Sequence, residues 1–242
     1  MVSTSARWPA FILGTGLVLS GCGSSGSGGP ARDATSIPVD VTTVDDTGNT
    51  SIVNDDLRDW LTALPLGTLD DAEETGILFM REEEKLARDV YLTLGEQWGM
   101  NVFTNISDSE QTHTDAMLAL IERYTLLDPA ASSARGVFVD PTLQGLHDML
   151  VARGSLSLID ALLVGAEIEE IDLVDLEQFI EQVVGNPDIV LVYENLMKGS
   201  RNHLRAFVGA LDNQNYRYQP QHLTLDEFNT IINSPVERGG SL

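Results

Sequence analysis

Residues 105–117 read NISDSEQTHTDAM. Phe103, Ile106, Glu110, His113, Met117, Leu120 and Tyr124 recur at alternating steps of three and four, the spacing of one face of an α-helix. That face is apolar at both ends and carries a carboxylate and an imidazole in its middle. The pattern predicts a helix over about 102–124, with Asn101 as N-cap and Asp128-Pro129 beyond its end. A second reading makes Glu110 the N3 residue of a capping box opened by Ser107. It would start the helix at Asp108 and leave Val102, Phe103 and Ile106 off the stripe that they match.

The same interruption recurs outward from this stretch. A helix over about 73–100, ended by Gly99, has the stripe Ile77, Met80, Glu84, Ala87, Tyr91, Leu94, Trp98. One over about 157–184, stopped by Gly185-Asn186-Pro187, gives Leu158, Leu162, Gly165, Glu169, Asp172, Leu176, Phe179. A fourth over about 188–211 gives Ile189, Tyr193, Leu196, Ser200, His203, Phe207, Ala210. About thirty residues join the second and third, with a short helix at about 142–152. A capping box at Thr224-Leu225-Asp226-Glu227 opens a last short helix. Strand-like alternation is not evident. The expected fold is all-α, a four-helix bundle with one long crossover connection and a short C-terminal helix.

Carboxylates and imidazoles at one level of four stripes are costly to bury, because burial and like-charge repulsion both oppose ionisation. A metal ion, or two, is the simplest compensation, and carboxylates with one imidazole per metal suit iron or manganese. Taken singly, each residue also has an ordinary reading. Glu82, Glu83 and Glu84 form a charge run of the solvated-face kind, with only Glu84 on the stripe. His203 fits a hydrogen-bonded core histidine, and Glu169-Glu170 an exposed acidic pair. A metal-free network would pair the acids with Arg88, Arg201 and Arg205. The coincidence on four helices favours the metal.

These residues resemble the ferritin-like di-iron superfamily, whose pattern is Glu, Glu-x-x-His, Glu and Glu-x-x-His on successive helices. Glu84, Glu110-Gln111-Thr112-His113 and Glu169 match its first three parts. More closely, MREEEKLARDVY, NISDSEQTHTDAM, GAEIEEIDLVDLE and GSRNHLRAF resemble a prokaryotic ferritin-like family of unknown function, domain of unknown function 2202, over about 67–211. The resemblance implies metal ligation by Glu84, Glu110, His113, Glu169 and His203, with Tyr91 near the metals as a candidate catalytic residue. It departs at helix four, where Ser200 stands in place of the second bridging glutamate; Asp172 is the candidate substitute. Oxidation of Fe(II) by dioxygen or peroxide is the chemistry implied, with no electron donor indicated. The alternative is a non-catalytic helical module of the cell envelope that binds a partner or sequesters metal.

The N-terminus carries a separate message. Arg7 precedes an apolar run over 8–19, too short to span a bilayer, and Leu19-Ser20-Gly21-Cys22 resembles a lipobox. Residues 1–21 are therefore expected to be a lipoprotein signal peptide. Cys22, the only cysteine, would be the acylated residue that holds the chain at a membrane surface. Residues 22–54 read as a flexible tether and 55–242 as the helical domain. Cleavage before Cys22 would leave 13 basic residues (14 less Arg7) against 37 acidic ones. So negative a chain disfavours nucleic acid as a partner. No Cys-x-x-Cys pair is present to hold a rubredoxin-type iron. His147 and His222 lie off the four stripes and receive no role.

Overall fold

The computed structural model describes residues 40–45 and 49–238, so the expected signal peptide and Cys22 lie outside the described residues. Two short strands, β1 (Thr42–Val44) and β2 (Thr50–Ile52), pair antiparallel with Thr42 opposite Ile52. Seven helices follow among the described residues: α1 (Asn54–Ala63), α2 (Asp71–Trp98), α3 (Asn101–Arg123), α4 (Pro141–Gly154), α5 (Leu158–Gln182), α6 (Pro187–Asn213) and α7 (Leu225–Asn233). The protein is an all-α helical bundle in which α2, α3, α5 and α6 are the long helices. Helix α2 packs on α3 and α5, and α6 packs on the same two, so α2 and α6 stand diagonally opposite.

The helix ends follow local chemistry. Asp70 and Glu73 form a reciprocal capping box at the start of α2, and Gly99 closes it in the left-handed conformation, φ 64°. Asp140 caps α4 ahead of Pro141, and Ser157 caps α5. Thr224 and Glu227 form the expected capping box of α7. Asn101 is not an N-cap. It lies inside α3, whose cap residue is Met100, without a side-chain bond. Because α3 starts there, Glu110 sits in mid-helix and the capping-box reading of Ser107–Glu110 falls.

Three elements were not expected: the strands β1 and β2 and the helix α1. The segment 22–54 was expected to be an unstructured tether, yet its described part forms the hairpin β1–β2. Val41 and Ile52 are buried in the core beside Leu57 and Leu61 of α1. The hairpin is pinned to the bundle by its backbone. Val41 N–H donates to Asn195 Oδ1 (3.2 Å) on α6, and Ile52 N–H to Thr112 Oγ1 (2.8 Å) on α3. Short strands of this kind gain their stability from that docking rather than from a sequence pattern of their own.

Glu82 and Glu83 also depart from the solvated face expected of them: both are buried, as is Glu170 beside Glu169. Glu82 accepts the backbone N–H groups of Val139 and Asp140 (2.6 and 2.8 Å). Glu170 accepts those of Gln221, His222 and Leu223. Buried Lys85 binds Asp89 Oδ2 (2.6 Å) and the carbonyls of Ala134 and Val137 while lying 4.3 Å from the Phe138 ring centre. These acids and this lysine fasten the crossover connection and the C-terminal segment to the bundle by satisfying backbone groups that would otherwise be buried unpaired.

The apolar interior forms two clusters. One joins the C-terminal half of α2 to the N-terminal part of α3 and the C-terminal half of α6, through Tyr91, Leu94, Phe103, Leu204 and Phe207. The other joins the opposite halves, through Ile77, Met80, Met117, Leu120 and Leu196. Glu84, Glu110, His113, Glu169, Asp172, Ser200 and His203, all buried, lie along the helices between them.

Removing Asp89 would leave Lys85 charged and without its ion-pair partner in the interior. Asp89→Ala is expected to lower the unfolding free energy by about 3–5 kcal/mol in urea titration. Glu122→Ala, which removes the exposed Arg58–Glu122 pair, should cost less than about 1 kcal/mol. Equal costs would contradict the anchoring role.

Candidate metal centre

Each long helix delivers a group to the same level because its apolar stripe is turned inward and that position falls in mid-stripe. Glu110 is central. Its Oε2 lies 2.9 Å from His113 Nδ1, and its Oε1 lies 2.9 Å from His203 Nδ1. Glu84 Oε2 is 3.3 Å from His113 Nδ1, and Glu169 Oε2 is 3.6 Å from His203 Nδ1. The two imidazoles stack with centroids 5.3 Å apart at 21°. Glu110, His113 and His203 each offer a donor atom within 4.8 Å of the others, a buried group that could hold a metal ion.

The contacts are compatible with a shared cation. Despite the short distances, neither His113 Nδ1 nor His203 Nδ1 has a hydrogen-bond partner of good geometry. Two ligand atoms about 2.0–2.1 Å from one ion, at angles between square and tetrahedral, stand about 2.9–3.3 Å apart. Three of the four nitrogen–oxygen distances fall there. Glu84 Oε1 and Asp172 Oδ1 are likewise buried without a hydrogen-bond partner. The donor set therefore fits a metal ion.

Charge balance points the same way. Neighbouring cations are committed elsewhere: Lys85 and Arg88 to Asp89, Arg88 also to Gln111, and Arg201 and Arg205 to Glu237. The metal-free network expected as an alternative, through Arg88, Arg201 and Arg205, is thus not formed. Burial raises the Glu84 carboxyl to about 8, partly opposed by His113. Burial also raises Glu169, opposed by His203. Asp172 is pushed well up by burial and then by Glu84. Burial alone would raise Glu110, but His113 and His203 outweigh it and hold its carboxyl well below the usual range. For His113 burial works downward, and Glu110 and Glu84 reverse it to a strongly raised value. For His203 the same opposition, with Glu110 and Glu169, ends at about 9.

The remaining candidates sit around this core. Tyr91 donates its hydroxyl to Glu169 Oε1 (2.6 Å), and its ring packs 5.1 Å from Phe207 and 6.4 Å from Phe103. Ser200 donates to Asp172 Oδ2 and so orients that carboxylate. Three participants escaped the sequence reading. Glu83 is buried with both oxygens unpartnered, its carboxyl raised well above the usual range by burial and then by Asp175 and Asp172. Gly199 admits the His113 ring, since a Cβ there would fall 2.4 Å from His113 Cε1. Ser109 contacts the far side of His203. Of these, only Gly199 carried a signal, as a glycine inside a helical stripe region.

Residues 73–235 match the family model described as an uncharacterised protein domain, DUF2202. The uncharacterised protein MJ0754 of Methanocaldococcus jannaschii is 49% identical over 183 residues, covering 76% of this chain and 98% of that protein. A crystal structure titled as hypothetical protein MJ0754 from Methanococcus jannaschii superposes with a TM-score of 0.70 at 49% identity, covering 72% of this chain and 99% of that one. The chain belongs to the DUF2202 family.

The shifted groups set a pH dependence for the metal-free protein. Glu84, with an ordinary value of 4.5 and about 8 when folded, keeps a proton that the unfolded chain releases between those values, so stability falls as pH rises through them. His203 acts with the same sign between 6.5 and about 9. Glu110 acts oppositely and loses its contribution only in acid. Urea titrations of chelator-treated protein should therefore show stability decreasing from about pH 5 to about pH 9. Stability that is level or rising across that range would contradict the assignment.

Proposed function

We propose that the protein binds two transition-metal ions about Glu110 and oxidises Fe(II) with dioxygen or peroxide, iron being the metal favoured and manganese the alternative. The observation that carries this is the division of one carboxylate between two imidazoles. Oε2 of Glu110 belongs with His113 and Glu84, Oε1 with His203 and Glu169. That is two similar ligand sets sharing a bridge, the arrangement of carboxylate-rich bundle sites. Asp172, held by Ser200, is the candidate for the bridging carboxylate that helix α6 lacks.

When bound, a pair of such ions supplies two one-electron changes at one place. With peroxide the balance is two Fe(II) oxidised, two protons consumed and two waters released. The chain's own part is to bind, to exclude water and to place protons. Glu84, Glu110 and Glu169 present anionic oxygens that favour the more highly charged Fe(III). Tyr91, Phe103 and Phe207 form an aromatic wall on one side of the layer, their rings 5.1 to 6.4 Å apart. Tyr91 holds its proton firmly, since burial and Glu169 push its pKa well up, and it delivers a hydrogen bond to the carboxylate beside His203.

A second reading, a helical module that sequesters metal without turnover, is favoured by Ser200 in place of a ligand carboxylate. On either reading the protein is anchored outside the cytoplasmic membrane through acyl groups on Cys22. Its lipobox-like sequence supports this, and radiolabelled palmitate incorporated by wild type and lost in Cys22→Ser would test it.

Protein purified from iron-supplemented cells should carry about two metal ions per chain by elemental analysis, and Glu110→Ala should lose nearly all of them. Rapid growth of ferric absorption after Fe(II) protein is mixed with peroxide or oxygen supports the oxidase. Bound iron that stays ferrous supports the sequestering module. Metal-free wild type indistinguishable from Glu110→Ala rejects both.

A further inference from the structure

The far side of His203 is bound to the hairpin. His203 Nε2 lies 2.9 Å from Ser109 Oγ, and that hydroxyl in turn donates to the backbone carbonyl of Thr50 in β2. All three residues are buried. The bond directions are fixed by elementary chemistry. A carbonyl only accepts, and a serine hydroxyl has a single proton. That proton goes to Thr50, so Ser109 Oγ meets His203 as an acceptor and Nε2 must carry a hydrogen.

In a neutral imidazole a proton on Nε2 leaves the lone pair on Nδ1. Nδ1 is the atom turned to Glu110 Oε1 and Glu169 Oε2. Resting on the metal-binding reading above, we infer that Ser109 is a positioning residue that fixes the tautomer of His203, so that the ring ligates through Nδ1, and that the docked β1–β2 hairpin supplies the carbonyl on which this depends.

The hairpin is held where it can do this. Asn202, the residue before His203, donates to Thr50 Oγ1 (2.6 Å), and Thr112 on α3 receives Ile52 N–H. Thr112 also donates to the Ser109 carbonyl (2.8 Å), so the same turn of α3 carries the hydroxyl and the hairpin's attachment. His113 has no such partner: its Nε2 makes no hydrogen bond and faces Gly199. The two imidazoles are therefore unequal, and only the one on α6 is tied to the hairpin. The segment expected to be a tether thus ends in a strand that reaches one of the ligands.

The test uses full-length protein with ¹⁵N-labelled histidine, loaded with Zn(II). Long-range ¹H–¹⁵N correlation spectra should show His203 protonated at Nε2 and metal-bound at Nδ1. Ser109→Ala should speed exchange of that ring proton with solvent and weaken Zn(II) binding about 10- to 100-fold, the usual effect of losing a ligand's hydrogen-bond partner. Thr112→Val removes one attachment of the hairpin and the bond to the Ser109 carbonyl but leaves the Ser109 hydroxyl, and should speed exchange of the ring proton far less than Ser109→Ala. Ligation through Nε2, or equal effects of the two variants on affinity with an unchanged ring proton, would overturn the inference while leaving the metal site intact. Zn(II) failing to bind His203 at all would overturn it together with the metal-binding reading. Spectra of metal-free protein above the ring's pKa of about 9 keep the tautomer measurable in that event, and Nδ1–H there would count against it.

Discussion

The structure depends on holding a layer of carboxylates and imidazoles in the middle of an apolar bundle. Glu84, Glu110, Glu169 and Asp172 are at most 6% exposed and His113 and His203 not at all, so water cannot screen them. In such a place an unpaired charge costs several kcal/mol, and like charges raise one another's cost. Apolar clusters on both sides keep the layer closed, while the helices that carry the groups also carry the clusters. Folding and charge compensation are therefore one problem.

The other buried acids show how the chain treats a carboxylate that has only a structural task. Glu73, Glu82, Asp89, Glu170 and Asp188 each receive protein donors: backbone N–H groups, Lys85, Arg88, Arg123 or Tyr124. The central acids receive one hydroxyl from Tyr91 and one from Ser200, and Glu84 Oε1 and Asp172 Oδ1 receive nothing. The chain satisfies both oxygens of Glu73, Glu82, Asp89 and Asp188, yet leaves this group facing two imidazoles in an arrangement that could hold a metal ion.

The long helices were legible because a stripe repeated over six or seven turns outweighs local propensity. The central residues were legible by the same device, as polar interruptions of an otherwise apolar face. Neighbours on a helix were harder to separate. Glu82, Glu83 and Glu84 differ by 100° steps, and which of them meets a loop, α5 or the imidazoles depends on what packs alongside. The hairpin was not legible, since three-residue strands such as Thr42–Val44 carry too few positions for a period, and its docking partners Asn195, Thr112 and Ser109 lie 59 to 154 residues away. Ser109 shows the limit most clearly: one residue from Glu110, it looked like part of a cap, and its bond to His203 exists only once α3 and α6 are side by side.

Anomalous diffraction from a crystal soaked in Fe(II) or Mn(II) tests the central claim most directly. Two anomalous peaks are expected, one beside each oxygen of Glu110, with His113 Nδ1 and His203 Nδ1 each about 2.0–2.3 Å from its own peak. Metal found only at surface carboxylates, with the space between Glu110, His113 and His203 featureless at saturating metal, would contradict it.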